Sequence, residues 1–233
     1  MTAIAANVQA VLERIERAAR EAGRTPQSVR LIAVSKTWPA ERVAEAWACG
    51  QRAFGENHVQ EAVEKIGKLA HLAGIEWHFI GPIQGNKTRP ISEHFQWVHS
   101  VDREKTAVRL NDARPAHLPP LNVCIQVNVS GEASKSGLEP GVESGLARLI
   151  AGLPRLRLRG LMAIPEPTTA VRVQRQRFAL LREAKERLVA AGHALDTLSM
   201  GMSDDLEAAV LEGATMVRVG TAIFGPRKAA NGK

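Results

Sequence analysis

The sequence predicts an α/β protein, a single (β/α)8 TIM-like barrel preceded by an extra amino-terminal helix. Three observations predict it. Eight short apolar runs are spread along 233 residues, nearly all the gaps between them carry helical periodicity, and no GxGxxG turn follows the first run. Alternating βα units imply a parallel sheet, and about eight of them in a chain of this length favour closure over an open doubly wound sheet. Residues 1–233 are therefore read as one domain.

The elements follow in order. Ile4, Val8, Val11, Leu12, Ile15 and Ala19 fall on one stripe at three- and four-residue steps, which predicts an amphipathic first helix. Strand-like runs then lie near 30–35, 52–54, 77–80, 96–99, 121–128, 156–163, 195–198 and 215–219. The first, "LIAVSKTWP" from Leu31 to Pro39, ends on a lysine, a costly side chain to bury. The sixth contains "RLRLRG", Arg155 to Gly160, which alternates like a half-exposed strand. After it, Arg172, Arg175 and Arg182 recur at helical spacing, as on a solvated face.

Composition narrows the function classes. A hydrophobic content of 45% supplies a sizeable core. The start lacks the basic-then-apolar layout of a signal peptide, and no apolar run approaches the roughly 18 residues of a membrane span, so a cytoplasmic protein without membrane contact is expected. Cys49 and Cys124 have no CxxC or clustered histidine partner, which argues against a disulfide framework or a zinc site; both are read as small core residues. The net charge of +7 raises the question of nucleic acid. The dispersed arginines, the 4% aromatic content and the lack of a nucleic-acid motif argue against it.

A barrel places chemistry at the carboxyl ends of its strands. Lys36 ends the first run, Asn57 follows the second in "AFGENHVQE", His78 lies in the third, and Asn128 ends the fifth. The last two runs end at "SMGMSDD" and "RVGTAIFG". Gly220 permits close backbone approach, and Thr221 offers a hydroxyl where a final helix would begin with unpaired amides, so the pair reads as a phosphate grip. Ser199 and Ser203 can add hydroxyl donors, whereas Asp204 and Asp205 would repel an anion; Ser203 also reads as a helix N-cap. A partly buried lysine loses ammonium hydration and offers a neutral amine to a carbonyl. Lysine, phosphate turn and barrel together point to pyridoxal 5′-phosphate (PLP) held as a Schiff base on Lys36.

The segments "AVSKTWP", "AFGENHVQEA", "WHFIGPIQGNKTR", "VNVSGEASKSG", "GLMAIP" and "LSMGMSDDLEAAVLEGATMVRVGTAIFG" closely resemble the PLP homeostasis proteins, single-domain relatives of the alanine racemase barrel. The matches run in order from about Leu31 to Gly225. The resemblance implies the PLP fold-type III barrel, with Lys36 carrying the imine and Asn57 and His78 near the cofactor. It further implies that Ser199, Ser203, Gly220 and Thr221 form the phosphate-binding segment and that Arg218 faces the pyridine nitrogen. His58 stands where the family often has tyrosine, and Ile83 where leucine is common. The implied function is intracellular PLP homeostasis, sequestering the aldehyde and supplying it to PLP-dependent enzymes through transient contact, without catalysis.

The rival is a PLP-dependent amino-acid racemase. An arginine stays charged and only donates, so it leaves the pyridine nitrogen unprotonated and the ring a poor electron sink, which suits a carrier or mild chemistry such as racemisation. The racemase family needs a tyrosine base and a second domain; the chain has no tyrosine and ends about eight residues after Gly225. No extra apolar surface is evident, so a monomer is expected.

Several residues carry a second reading. Asn57 with Gln60 matches a capping box, His78 suits a satisfied core position, and Arg218 can pair with a carboxylate such as Glu56. Met200 and Met202 suit packing. Lys135, in the Gly- and Ser-rich loop after the fifth run, is either a solvated lysine or a second amine for loading and release.

Overall fold

The computed structural model describes residues 2–131 and 136–226. Its parallel strands are β1 (Arg30–Val34), β2 (Ala53–Glu56), β3 (Glu76–Phe79), β4 (Trp97–Val101), β5 (Leu121–Gln126), β6 (Leu156–Met162), β7 (Thr197–Ser199) and β8 (Met216–Val219). They pair in sequence order, and β8 returns to β1 through Arg30↔Met216 to Ala33↔Val219, closing the barrel. The eight runs read from the sequence all become strands. Both faces of each strand are covered, by helices outside and by side chains within, so the strands read as apolar runs rather than as simple alternation.

The helices are α1 (Ala3–Glu21), α2 (Ala40–Ala48), α3 (Val59–Lys68), α4 (Thr88–His94), α5 (Glu104–Ala113), α6 (Glu143–Ala151), α7 (Val171–Ala190), α8 (Leu206–Leu211) and α9 (Thr221–Phe224). The core between strands and helices takes alternate strand residues, such as Leu31, Ala33, Phe54, Phe79, Val98 and Val217. Residues of the opposite parity point inward: Ile32, Ala53, Trp97, Cys124, Met162 and Met216 make a separate interior cluster.

The extra helix is α1. Thr2 caps it through a hydroxyl accepting from the Ala5 N–H, and Ile4, Val8, Val11, Ile15, Ala18 and Ala19 are buried. Leu12, expected on the buried stripe, is 41% exposed, and Ala18 replaces it. The helix braces the end of the barrel. Asn7 donates to the Ile223 carbonyl of α9 at 2.9 Å, and Arg14 binds both Glu207 of α8 and the Ser203 carbonyl.

The basic surface is internally compensated in several places. Arg175 and Arg182 on α7 both pair with Glu212, and Arg159 pairs with Asp196 while stacking 4.8 Å over the Trp97 ring. Cys124 is buried as expected; Cys49 is exposed at the end of α2, which corrects its reading as a core residue. Among the described residues no helix is long and apolar enough to cross a membrane.

Candidate functional site

A cavity of about 340 Å³ opens at the carboxyl ends of the strands. Lys36, Asn57, Ser203, Arg218, Gly220 and Thr221 all line it. This volume lies within the usual range for small-molecule sites. Residues at opposite ends of the sequence meet here because β1 and β8 are hydrogen-bonded neighbours.

Lys36 is half-buried and stands two residues beyond β1, in a turn whose geometry is imposed from below. The Ser35 carbonyl accepts from Lys65 Nζ at 2.9 Å, and the Thr37 N–H donates to Glu61 Oε1 at 2.6 Å. Thr37 has φ of 68°, a costly conformation for a β-branched residue, and those bonds offset the cost. The Lys36 backbone is thus held on both sides.

Beneath the turn, Lys65 Nζ binds Glu56 Oε1 at 2.6 Å and Glu61 Oε1 at 3.1 Å, while Ser35 Oγ donates to Glu56 Oε1 at 2.6 Å. Burial pushes the Glu56 carboxyl up, against the opposing pull of Lys65 and Ser35. Glu56 therefore pairs with Lys65. Arg218, the alternative partner considered for it, binds Ser199 and the Ala163 carbonyl instead.

Gly220 and Thr221, expected to grip a phosphate, sit where the chain passes over β1. Gly220 is the N-cap of α9 and Thr221 its first residue. A Cβ added at Gly220 would lie 3.2 Å from the Val34 carbonyl oxygen, so glycine permits this close approach. Trp38 packs against Phe224 at 6.1 Å, linking the turn after Lys36 to α9. Ser203 lines the cavity, but Asp205 is the N-cap of α8, which corrects the capping reading of Ser203. Asp205 Oδ1 accepts from the Met202 N–H at 2.6 Å, and burial raises its carboxyl. Asp204 also lines the cavity, so one carboxylate does face the site.

Asn57 lines the cavity with a buried Oδ1 that has no hydrogen-bond partner. The N-cap of α3 is His58, which makes no side-chain capping bond, so the capping box at Asn57 is not formed. Gly81 lines the cavity packed directly against Asn57: a Cβ there would fall 2.5 Å from the Asn57 carbonyl oxygen. An orphaned acceptor beside a lysine and an arginine suits a polar guest carrying a donor.

Arg218 projects inward from β8, buried yet lining the cavity. Nη1 donates to Ser199 Oγ at 2.6 Å and Nη2 to the Ala163 carbonyl at 2.8 Å. Burial lowers it to about 10, which leaves it charged near neutral pH.

Ser199 and His78 are buried behind the residues that line the cavity. Ser199 is fully buried and absent from the cavity wall, with its hydroxyl engaged by Arg218 and by His99 at 2.7 Å. His78 is also fully buried, with Nδ1 2.9 Å from His99 Nε2 and its ring stacked on Trp97. Both occupy the inward parity of their strands, and neither is among the residues that line the cavity. Met200 is core and Met202 lines the cavity. Lys135 lies outside the described residues.

Sequence reasoning missed His99, Lys65 and Gly81. His99 left a faint signal, its same-parity spacing from Trp97 in the fourth run; Lys65 resembled any helix-surface lysine.

Comparison with known proteins agrees with this architecture. The family model described as alanine racemase, N-terminal domain, matches residues 6–228. The chain is 63% identical over 227 residues to the pyridoxal phosphate homeostasis protein of Pseudomonas aeruginosa, covering 97% of each chain. It is 53% identical to the protein of that name from Escherichia coli K12, covering 97% of this chain and 98% of that one. The structure of PipY from Synechococcus elongatus, solved with PLP bound, superposes with a TM-score of 0.79 at 39% identity, covering 91% of this chain and all of that one. The chain therefore belongs to the alanine racemase N-terminal domain family and, within it, to the pyridoxal phosphate homeostasis proteins.

Proposed function

We propose that this protein binds PLP reversibly on Lys36 and serves as an intracellular reservoir that yields it to PLP-dependent enzymes. The observation that carries the reading is the convergence of Lys36, Arg218 and the Gly220–Thr221 turn on one cavity, in a chain 39% identical to a relative solved with PLP bound. The residues fit the group. Gly220 and Thr221 present a helix start for a phosphate, Arg218 a permanent donor for a ring nitrogen, and Asn57 an unpaired acceptor for a ring hydroxyl.

When bound, PLP supplies an electrophilic aldehyde whose chemistry belongs to the cofactor. The Lys36 amine adds to that carbon, C=N forms and the aldehyde oxygen leaves as water; hydrolysis reverses the step and releases the cargo. The backbone on either side of Lys36 is fixed by the Lys65–Ser35 and Thr37–Glu61 bonds, which orients the amine.

A carrier fits better than a catalyst. The 233 residues contain no tyrosine to act as the racemase base, whereas the charged Arg218 suits a carrier and a racemase alike and disfavours only chemistry that needs a protonated ring nitrogen. The curated relatives compared above are named for homeostasis rather than for a reaction.

The test is an absorption spectrum of the purified protein with PLP, before and after Lys36→Ala. The visible imine band is expected with the native chain and lost in the variant; its persistence overturns the assignment of Lys36. Incubation of the loaded protein with L- and D-alanine and a chiral assay separates the racemase, since sustained turnover overturns the carrier reading.

A further inference from the structure

Inside the barrel, below the cavity, an unbroken polar chain crosses the apolar interior. Arg218 Nη1 meets Ser199 Oγ at 2.6 Å, Ser199 Oγ meets His99 Nδ1 at 2.7 Å, and His99 Nε2 meets His78 Nδ1 at 2.9 Å. At the far end, His78 Nε2 lies 2.9 Å from Glu76 Oε1, off the ideal hydrogen-bonding line. Glu76 opens β3 at the amino end of the barrel and pairs there with Arg30. Arg218, Ser199, His99 and His78 are contributed by β8, β7, β4 and β3, and all four are buried.

The chemistry of the two ends sets the direction of every proton in the chain. A guanidinium only donates, so Ser199 Oγ accepts from Arg218. A carboxylate only accepts, so the His78 nitrogen facing Glu76 carries the hydrogen. His78 Nδ1 is then an acceptor, His99 Nε2 must donate to it, and His99 Nδ1 accepts the Ser199 hydroxyl proton. The reverse arrangement would set a bare His78 nitrogen against the Glu76 carboxylate and leave the Ser199 hydroxyl without its acceptor at His99.

We propose that Ser199, His99 and His78 are positioning residues that hold the Arg218 guanidinium toward the cofactor, with Glu76 selecting the direction of the chain from the opposite end of the barrel. Both histidines are neutral and protonated on Nε2. Trp97 stacked on His78, buried Cys124 and the surrounding Ile32, Met162 and Met216 exclude the water that would otherwise satisfy these groups. Burial disfavours an imidazolium at either ring; at His78 it outweighs the opposing pull of the Glu76 carboxylate, with Arg30 adding to it, and at His99 any charge on His78 and the charge of Arg218 add to it. The role assigned to Arg218 rests on the PLP reading; the state of the histidines does not.

The experiment has two arms. In the PLP-free native protein, 15N NMR of the histidines is expected to show His78 and His99 as neutral, Nε2-protonated rings from pH 8 to 6. An Nδ1–H tautomer or an imidazolium at either position in that range overturns the relay, whatever the protein binds. In the second arm, His99→Leu breaks the chain, whereas His99→Gln restores it, because an amide can accept from Ser199 and donate to His78. PLP affinity is expected to fall about tenfold in the first and return to within about threefold in the second, with both folded by circular dichroism. Native affinity in His99→Leu, or equal losses in two folded variants, overturns the positioning role. Should the native protein form no imine, the PLP reading fails while the NMR arm still decides the relay.

Discussion

Lys65 and Glu56 form a buried ion pair at 2.6 Å directly beneath the turn that carries Lys36. Lys65 is only 4% exposed and its ammonium also holds the Ser35 carbonyl and Glu61, so the pair props the turn from the layer between strand and helix. Removing one partner of such a pair strands the other charge in an apolar setting. Lys65→Met is therefore expected to destabilise by about 3 to 5 kcal/mol in urea unfolding. Adding Glu56→Gln, which keeps an acceptor for Ser35, is expected to recover more than half of that loss. Additive losses would show that the two residues do not interact.

Two glycines give opposite outcomes. Alanine at Gly81 would place its Cβ 2.5 Å from the Asn57 carbonyl oxygen, so the cavity wall must shift. Gly81→Ala is expected to cost about 1 to 3 kcal/mol and to weaken PLP binding. Gly67 lies within α3 with open space around it, and Gly67→Ala is expected to add about 1 kcal/mol of stability through helix propensity alone. Thermal unfolding with and without PLP checks both.

The buried histidines predict acid sensitivity. Burial lowers His78 and holds His99 well below 6.5, so protons taken up near that pH bind the unfolded chain and not the folded one. Stability contributed by this difference is intact above pH 6.5 and lost as the pH falls below it, at up to about 1.4 kcal/mol per pH unit for each ring. Glu56 and Asp205, whose carboxyls burial raises, act in the opposite direction. The informative quantity is thus the native protein minus His78→Gln/His99→Gln, in denaturant titrations from pH 7 to 5. Parallel pH profiles would contradict the neutral assignment.

The phosphate turn predicts competition. Inorganic phosphate is expected to raise the apparent PLP Kd of the native protein, and Thr221→Val to weaken PLP binding while leaving unfolding without ligand within about 0.5 kcal/mol. PLP at 100 times its Kd is expected to stabilise the native chain by about 2.7 kcal/mol, read by calorimetry. Indifference to phosphate would remove Gly220 and Thr221 from the ligand set.

Much of the barrel was legible in the sequence because its signals are local. The run Leu31–Val34 is apolar on both faces, since one face meets helices and the other the barrel interior, and the stripe from Ile4 to Ala19 has helical period. Lys36, Gly220 and Thr221 were legible as residues that meet at the cavity because the carboxyl ends of parallel strands are where this architecture exposes functional groups. Leu12 and Cys49 were misread because helical spacing and residue type give a preference for burial, whereas the neighbouring elements decide it.

Alone, the chain determined an alternation of strands and helices, a lysine at the end of the first strand, a glycine–threonine turn after the last and the absence of tyrosine. Only the tertiary structure decided depth. Ser199 and Ser203 are four residues apart in one motif, yet the first is buried within the barrel against Arg218 and the second lines the cavity. His78, likewise at a strand's carboxyl half, turned out to share a ring of contacts with His99, a residue no motif had marked. The reason is physical: inward or outward parity and height along the barrel axis depend on strand register and closure, which are set by pairings between distant segments.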